Sequence, residues 1–209
     1  MSRDPFCRSL WALGALLFLV GTLWAFVLPG VSPDRSVAAY FSLQPLPDLL
    51  GPARLLALLG GPPALGFVVL SFAVFLLYRR RQRDALFLLF AVAGTALINS
   101  VLKTLIDRPR PPLRLIEITS PAFPSWHSAT SAALALSLWL LFSRPLGSRT
   151  AKVFLGFLLL LWPLAIGSSR LVLNAHWATD VIAGWGLGIL VSCTLYRVIG
   201  LQEETRVHP

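Results

Sequence analysis

The stretch Ser169-Arg170-Leu171-Val172-Leu173-Asn174-Ala175-His176-Trp177-Ala178-Thr179-Asp180 sets a histidine and an aspartate four residues apart, with an arginine upstream. On a helix, such positions share one face. Asp180 would then accept the Nδ1–H of His176, fix its tautomer and leave Nε2 free as a base or nucleophile. Arg170 would grip a phosphate through its planar fork. A structural role competes with this reading: a His–Asp pair that satisfies itself at the end of a membrane helix.

Two more stretches tip the balance toward chemistry. Lys103-Thr104-Leu105-Ile106-Asp107-Arg108-Pro109-Arg110-Pro111 is a lysine, six residues and Arg-Pro. Pro124-Ser125-Trp126-His127-Ser128 opens an apolar run. In this order the three resemble the tripartite signature of the type 2 phosphatidic acid phosphatase (PAP2) superfamily: K-x6-RP, PSGH and SR-x5-H-x3-D. The first and third agree at every defining position. The second departs once, with Trp126 where the pattern has glycine. The motifs span 103–180, and the hydrophobic pattern extends the resemblance over nearly the whole chain.

The resemblance implies an integral-membrane lipid phosphate phosphatase that works without cofactor or metal. At matching positions it implies that His176 attacks phosphorus to form a phosphohistidine, with Asp180 orienting it. His127 would protonate the leaving lipid oxygen and then activate water. Lys103, Arg110 and Arg170 would supply positive charge. Ser125 and the first backbone N–H groups of the helix that begins at Trp126 would add donors, since a helix N-terminus suits a phosphate. These parts fit phosphoryl transfer, where catalysis is mostly positioning plus stabilisation of charge on the equatorial oxygens. Arg54 and Arg114 read as interfacial anchors. Arg108 fits either role, with Asp107 beside it as a candidate partner. Trp126 keeps the backbone donor and adds bulk. Its indole would either wall the lipid's path to the site or anchor the helix start in the aromatic belt.

Composition agrees with a membrane setting. The chain has 209 residues, 56% hydrophobic, and a mean hydropathy of +0.74, too apolar for a soluble domain. Its net charge of +9 is dispersed in short clusters between apolar runs, which argues for membrane topology and against nucleic acid as a partner. Only nine acidic residues occur, with no carboxylate cluster to hold a pair of metal ions, so a metal-independent mechanism is expected. Cys7 and Cys193 lie far apart in sequence and have no metal-ligand spacing.

The elements that must position the motifs follow from the apolar runs. The expected fold is all-α: one domain over 1–209, a polytopic bundle of six transmembrane helices. The spans are predicted near 10–28 (a retained helix rather than a signal peptide), 62–78, 84–106, 126–142, 151–167 and 178–199. Pro62 falls in the first turn of a new helix after Gly60-Gly61. Residues 29–52 are expected to be a loop, with a short amphipathic piece in the interface. Asn99 and Ser100 are expected to bond between helices. Gly184, Gly186 and Gly188 would allow close helix packing. The tail 200–209 is expected to fray.

With the N-terminus inside, eleven of eighteen basic residues fall on the inner side, including Arg79, Arg80, Arg81, Arg83, Arg144, Arg149 and Lys152. All three motifs then face out. The expected setting is a bacterial inner membrane, with both termini cytoplasmic and the site extracytoplasmic. Candidate substrates are phosphatidic acid, phosphatidylglycerol phosphate and an undecaprenyl pyrophosphate. A lipid phosphotransferase on the same scaffold is the first alternative. A non-catalytic lipid-binding or translocating protein is the second, and it gives no reason for the two histidines and Asp180. The sequence specifies no oligomeric state.

Overall fold

The computed structural model describes residues 5–28, 32–43 and 46–199. Among these it has eight helices: α1 (Pro5–Phe26), α2 (Asp34–Leu43), α3 (Pro47–Leu59), α4 (Pro62–Tyr78), α5 (Gln82–Ile106), α6 (Trp126–Phe142), α7 (Arg149–Val172) and α8 (Ala178–Val198). The expectations for Arg3, Pro29, Pro45, Arg206 and the tail 200–209 lie outside the described residues.

Local chemistry explains the boundaries. α4 starts with Pro62 and Pro63 in its first turn, where no backbone N–H is needed. Ser125 caps α6, its hydroxyl accepting from the Ser128 N–H at 3.5 Å, and Ser148 caps α7 through the Ala151 N–H at 3.4 Å. α5 ends at Asp107, in the left-handed region at φ 46°, just before Pro109.

α1, α5, α7 and α8 are each long and apolar enough to cross a membrane. α3 and α4, bent by 51° at Gly60-Gly61, make a fifth crossing if taken together. α6 is shorter, at 17 residues, and mostly buried among its neighbours. The chain is an integral membrane protein.

Two expectations about helix bounds need correction. Much of the region read as a loop is helical, as α2 and α3: Asp34 and Asp48 sit in first turns and Pro47 starts α3, all favourable at helix starts. α7 also runs to Val172, so Arg170 lies in a helical last turn rather than a loop.

α8 is the central element, packed against α1 on one side and α6 on the other. A Cβ on Gly186 would lie 2.4 Å from the Phe18 backbone nitrogen of α1. On the opposite face, a Cβ on Gly184 would lie 2.7 Å from the Ser125 carbonyl, and one on Gly188 would lie 2.2 Å from the Ala129 carbonyl. Backbone meets backbone at both seams. The main core, with Leu76, Phe87, Leu88 and Leu141 fully buried, reaches along the bundle as far as Trp126 at the motif end. It is closed by ions: Asp84 takes Arg81 at 2.6 Å and Arg144 at 3.3 Å, and Arg144 also bonds the Tyr196 hydroxyl at 3.0 Å.

Asn99 bonds the Pro124 carbonyl at 3.2 Å, a loop rather than a neighbouring helix, while Ser100 bonds Ala96 within its own helix. Cys7 and Cys193 are buried, and the fold brings them together, Cys7 Sγ lying 3.9 Å from the Cys193 carbonyl oxygen.

The α6–α8 seam generates a stability prediction. Gly188→Ala should lower the melting temperature in detergent, because forced overpacking costs about 1–3 kcal/mol. Gly66→Ala, with nothing within 4 Å of its added carbon, should be neutral or slightly stabilising. Equal melting temperatures for the two variants would contradict the close approach.

Candidate active site

Four helix ends and two loops meet at one end of the bundle. Lys103 comes from the last turn of α5, Arg110 from the loop after it, and Ser125, Trp126 and His127 from the start of α6. Arg170 comes from the last turn of α7, His176 from the turn before α8, and Asp180 from the first turn of α8. The fold therefore gathers all eight candidate residues at one end.

His176 and Asp180 do not sit one helical turn apart, as expected from their spacing. His176 precedes the helix, and Asp180 occupies its third position. There Asp180 Oδ2 accepts the Trp177 N–H at 2.9 Å and lies 3.4 Å from His176 Nδ1. Helix-start chemistry, not a shared helix face, brings the pair together. Asp180 is fully buried and His176 is 3% exposed.

Arg110 lies across the other ring nitrogen, with Nη1 3.1 Å from His176 Nε2. A guanidinium can only donate. Nε2 is therefore the acceptor, and the ring proton sits on Nδ1, facing Asp180. Burial, then Arg110, Lys103 and Arg170, hold the His176 pKa well below the ordinary 6.5. The ring is neutral at neutral pH. Burial is also the main reason the Arg110 pKa is drawn down to about 10, which still leaves it charged.

Backbone carbonyls anchor the cations. Lys103 Nζ donates to Pro121 O and to Ala122 O, the latter at 3.3 Å. Arg110 donates to Ala175 O at 2.5 Å, Ser120 O at 2.7 Å and Pro121 O at 3.2 Å. Arg170 is 2% exposed, and its buried Nε has no hydrogen-bond partner. Among the described residues none of the three meets a carboxylate within 4 Å. Three buried or half-buried cations with no direct carboxylate partner among the described residues favour an anion.

α6 supplies the facing wall. The Ser125 N–H donates to the Asp180 carbonyl at 2.9 Å, which ties the start of α6 to the start of α8. Its hydroxyl accepts from Ser128 N and, at 3.0 Å, from Ser128 Oγ, which leaves the O–H free to donate. His127 Nε2 lies 3.2 Å from the Ala57 carbonyl of α3 and so donates to it. That carbonyl is free because α3 ends there: the Gly61 N–H bonds Leu58 instead. Trp126 is half-buried against the main core, its ring edge-on to His127 with centroids 5.5 Å apart.

Arg108, undecided from sequence, is paired with Asp34 and Asp180 rather than with Asp107. Asp34 was missed because its region read as loop. Ser32-Pro33-Asp34 carried a helix-start signal that points to it. Arg54 and Arg114 are exposed, in keeping with interfacial anchoring.

Comparison with known proteins identifies the family and the fold. The PAP2 superfamily model matches residues 84–203, and the chain belongs to that superfamily. It is 31% identical over 135 residues to phosphatidylglycerophosphatase B of Bacillus subtilis, a match covering 62% of this chain and 63% of that protein. It is 29% identical over 178 residues to decaprenylphosphoryl-5-phosphoribose phosphatase of Mycobacterium tuberculosis, covering 81% of this chain and 92% of the relative. The fold is shared with the crystal structure of a transmembrane PAP2-type phosphatidylglycerolphosphate phosphatase from Bacillus subtilis, with TM-score 0.75, 24% identity and coverage of 97% and 98%. Aquifex aeolicus LpxE aligns with TM-score 0.64, 22% identity and coverage of 79% and 96%.

The buried neutral His176 has a consequence for stability against pH. The unfolded chain protonates this histidine below about pH 6.5, whereas the folded protein does not. Stability should therefore fall as pH drops below 6.5, by at most about 1.4 kcal/mol per pH unit. Comparing detergent-solubilised wild type with His176→Asn at pH 7.5 and 5.5 isolates the contribution. The variant should lose less stability between the two values, and identical losses would contradict a neutral buried ring.

Proposed function

We propose that the protein is a membrane lipid phosphate phosphatase that works through a phosphohistidine on His176. The observation that carries this is the meeting of His176 Nε2 with Arg110 beside two further cations that have no carboxylate partners among the described residues. A tetrahedral phosphate dianion supplies these groups with the direct anionic partner that the described residues do not. Arg110 would move its N–H donors from Nε2 to the phosphate oxygens, which exposes the lone pair. Nε2 then attacks phosphorus and the bond to the lipid oxygen breaks.

The bound dianion favours the imidazolium form of His127. That group protonates the leaving oxygen and afterwards takes the proton from the attacking water. Lys103, Arg110, Arg170, the Ser125 hydroxyl and the first backbone N–H groups of α6, Trp126 included, stabilise the equatorial oxygens. No step calls on a metal or cofactor. The name of one relative puts phosphatidylglycerol phosphate first among substrates, that of another adds a decaprenylphosphoryl sugar phosphate, and phosphatidic acid and an isoprenyl pyrophosphate stay candidates on the motifs.

In this reading six helices cross the membrane. α4 and α6 join the four long ones, since 17 residues rise about 25 Å. The ionic end with Arg81, Arg144 and Lys152 faces the cytoplasm, as do both termini, and the site faces out.

Inorganic phosphate release from a lipid panel in detergent tests the activity. Wild type should release phosphate with excess EDTA present, and vanadate should inhibit. His176→Ala should purify folded and release none. Turnover by that variant, or loss on chelation rescued by magnesium, would overturn the mechanism. Transfer of the phosphoryl group to an added lipid alcohol, without phosphate release, would make the protein a phosphotransferase.

Orientation has its own test, in a Cys7→Ala and Cys193→Ala background. Thr119→Cys, exposed beside the site, should react with an impermeant thiol reagent in intact cells, and Gln82→Cys, exposed at the opposite end, should not. Reversed labelling would invert the topology.

A further inference from the structure

The four cations near the site fall into two sets. Among the described residues, Lys103, Arg110 and Arg170 meet no carboxylate within 4 Å, whereas Arg108 meets two. Its Nη1 donates to Asp180 Oδ1 at 2.5 Å and to Thr179 Oγ1 at 2.8 Å, and its Nη2 donates to Asp34 Oδ2 at 2.7 Å. Its guanidinium lies 5.4 Å from the Phe26 ring centroid and 5.6 Å from that of Trp177. Its side chain is 11% exposed. Asp34 is equally occupied, accepting the Thr179 N–H at 2.9 Å and the Thr179 hydroxyl at 2.8 Å. Three of the five N–H donors of Arg108 are thus committed to Asp34, Thr179 and Asp180, and carboxylates balance its charge, so it is anchored in the fold rather than offered to a substrate phosphate.

The chain of contacts nevertheless ends on the nucleophile. Asp180 divides its two oxygens, Oδ1 to Arg108 and Oδ2 to Trp177 N and His176 Nδ1. Paired with Arg108 alone, Asp180 would sit in a neutral couple. With Asp34 included, the cluster of two carboxylates and one guanidinium keeps one net negative charge beside His176. That charge matters in the reaction, because a ring phosphorylated on Nε2 that keeps its Nδ1 proton is positively charged. In a water-poor site such a counter-charge acts strongly.

We propose that Arg108 and Asp34 are positioning residues for phosphoryl transfer: Arg108 fixes Asp180, and Asp34 offsets Arg108 so that Asp180 still presents a net negative charge to His176. This rests on the phosphohistidine reading above. It makes α2 part of the catalytic apparatus although none of its residues reaches the phosphate.

The test compares charge with shape. Asp34→Asn keeps the size and one of the two oxygens that accept from Thr179, and removes the charge. With a short-chain phosphatidylglycerol phosphate labelled in its terminal phosphate, this variant should keep KM within about twofold and lose about 10- to 100-fold in kcat, the scale of a nucleophile set slightly out of place. The rate of labelled phosphoenzyme formation, trapped by alkaline quench, should fall in parallel. Arg108→Gln should also lose kcat, since it leaves two buried carboxylates unbalanced. The double variant Asp34→Asn, Arg108→Gln restores one net negative charge and should exceed either single variant in kcat. A purely structural pin predicts a double variant no better than the worse single one.

Wild-type kcat in folded Asp34→Asn, or a double variant at or below Arg108→Gln, overturns the proposal. If Asp34→Asn does not purify folded, the double variant is judged against Arg108→Gln alone. Failure of the double variant to fold assigns the pair to folding and also overturns it. His176→Ala in the same series separates the two levels. Turnover by His176→Ala sinks the phosphohistidine reading, whereas an inactive His176→Ala beside a fully active Asp34→Asn sinks only the clamp.

Discussion

The close approach of α6 and α8 is the constraint on which the site depends. No side chain separates the two backbones at Gly184 and Gly188. The Ser125 N–H can therefore reach the Asp180 carbonyl at 2.9 Å, and two helix N-termini lie side by side. One start carries Ser125 and His127, and the other carries Asp180 with His176 just ahead of it. Helix starts present unsatisfied N–H groups and a positive dipole end, so this seam alone creates a place for an anion.

The cations deepen that preference and are held without being neutralised. Carbonyls of Ser120, Pro121, Ala122 and Ala175 take hydrogen bonds from Lys103 and Arg110. A carbonyl satisfies a donor and leaves its charge standing, whereas a carboxylate would cancel it. The 107–124 loop is thus a scaffold of acceptors. It is itself fixed by backbone bonds such as Leu115 N to Leu173 O at 3.0 Å, and by the Trp177 indole on the Pro109 carbonyl at 2.8 Å. Carboxylates appear one layer out, on Arg108, where neutralising a charge steadies the structure and does not compete with phosphate.

α3 brings a further element to the same end. It stops at Gly60-Gly61, and the stop frees the Ala57 carbonyl that holds His127. The 51° bend into α4 and the tether on a candidate acid–base are one feature, since an uninterrupted helix would have used that carbonyl internally.

The sequence by itself determined the helical class, the ends of α4 and α6, and the eight candidate residues, because apolar runs, prolines and the three motifs are local signals. Gly186 and Gly188 already pointed to tight seams. Local spacing could not give the partners of Arg108, because Asp34 is 74 positions away in the chain and Asp180 is 72 positions away. It also misread the link between His176 and Asp180: a separation of four suggested one helical face, while the fold starts α8 between them and joins them through its first turn. Tertiary structure alone decided which cation meets carboxylates and which meet uncharged groups. The physical reason is that a buried charge is settled by whichever groups the packed helices bring within hydrogen-bond reach, and those come from remote parts of the chain.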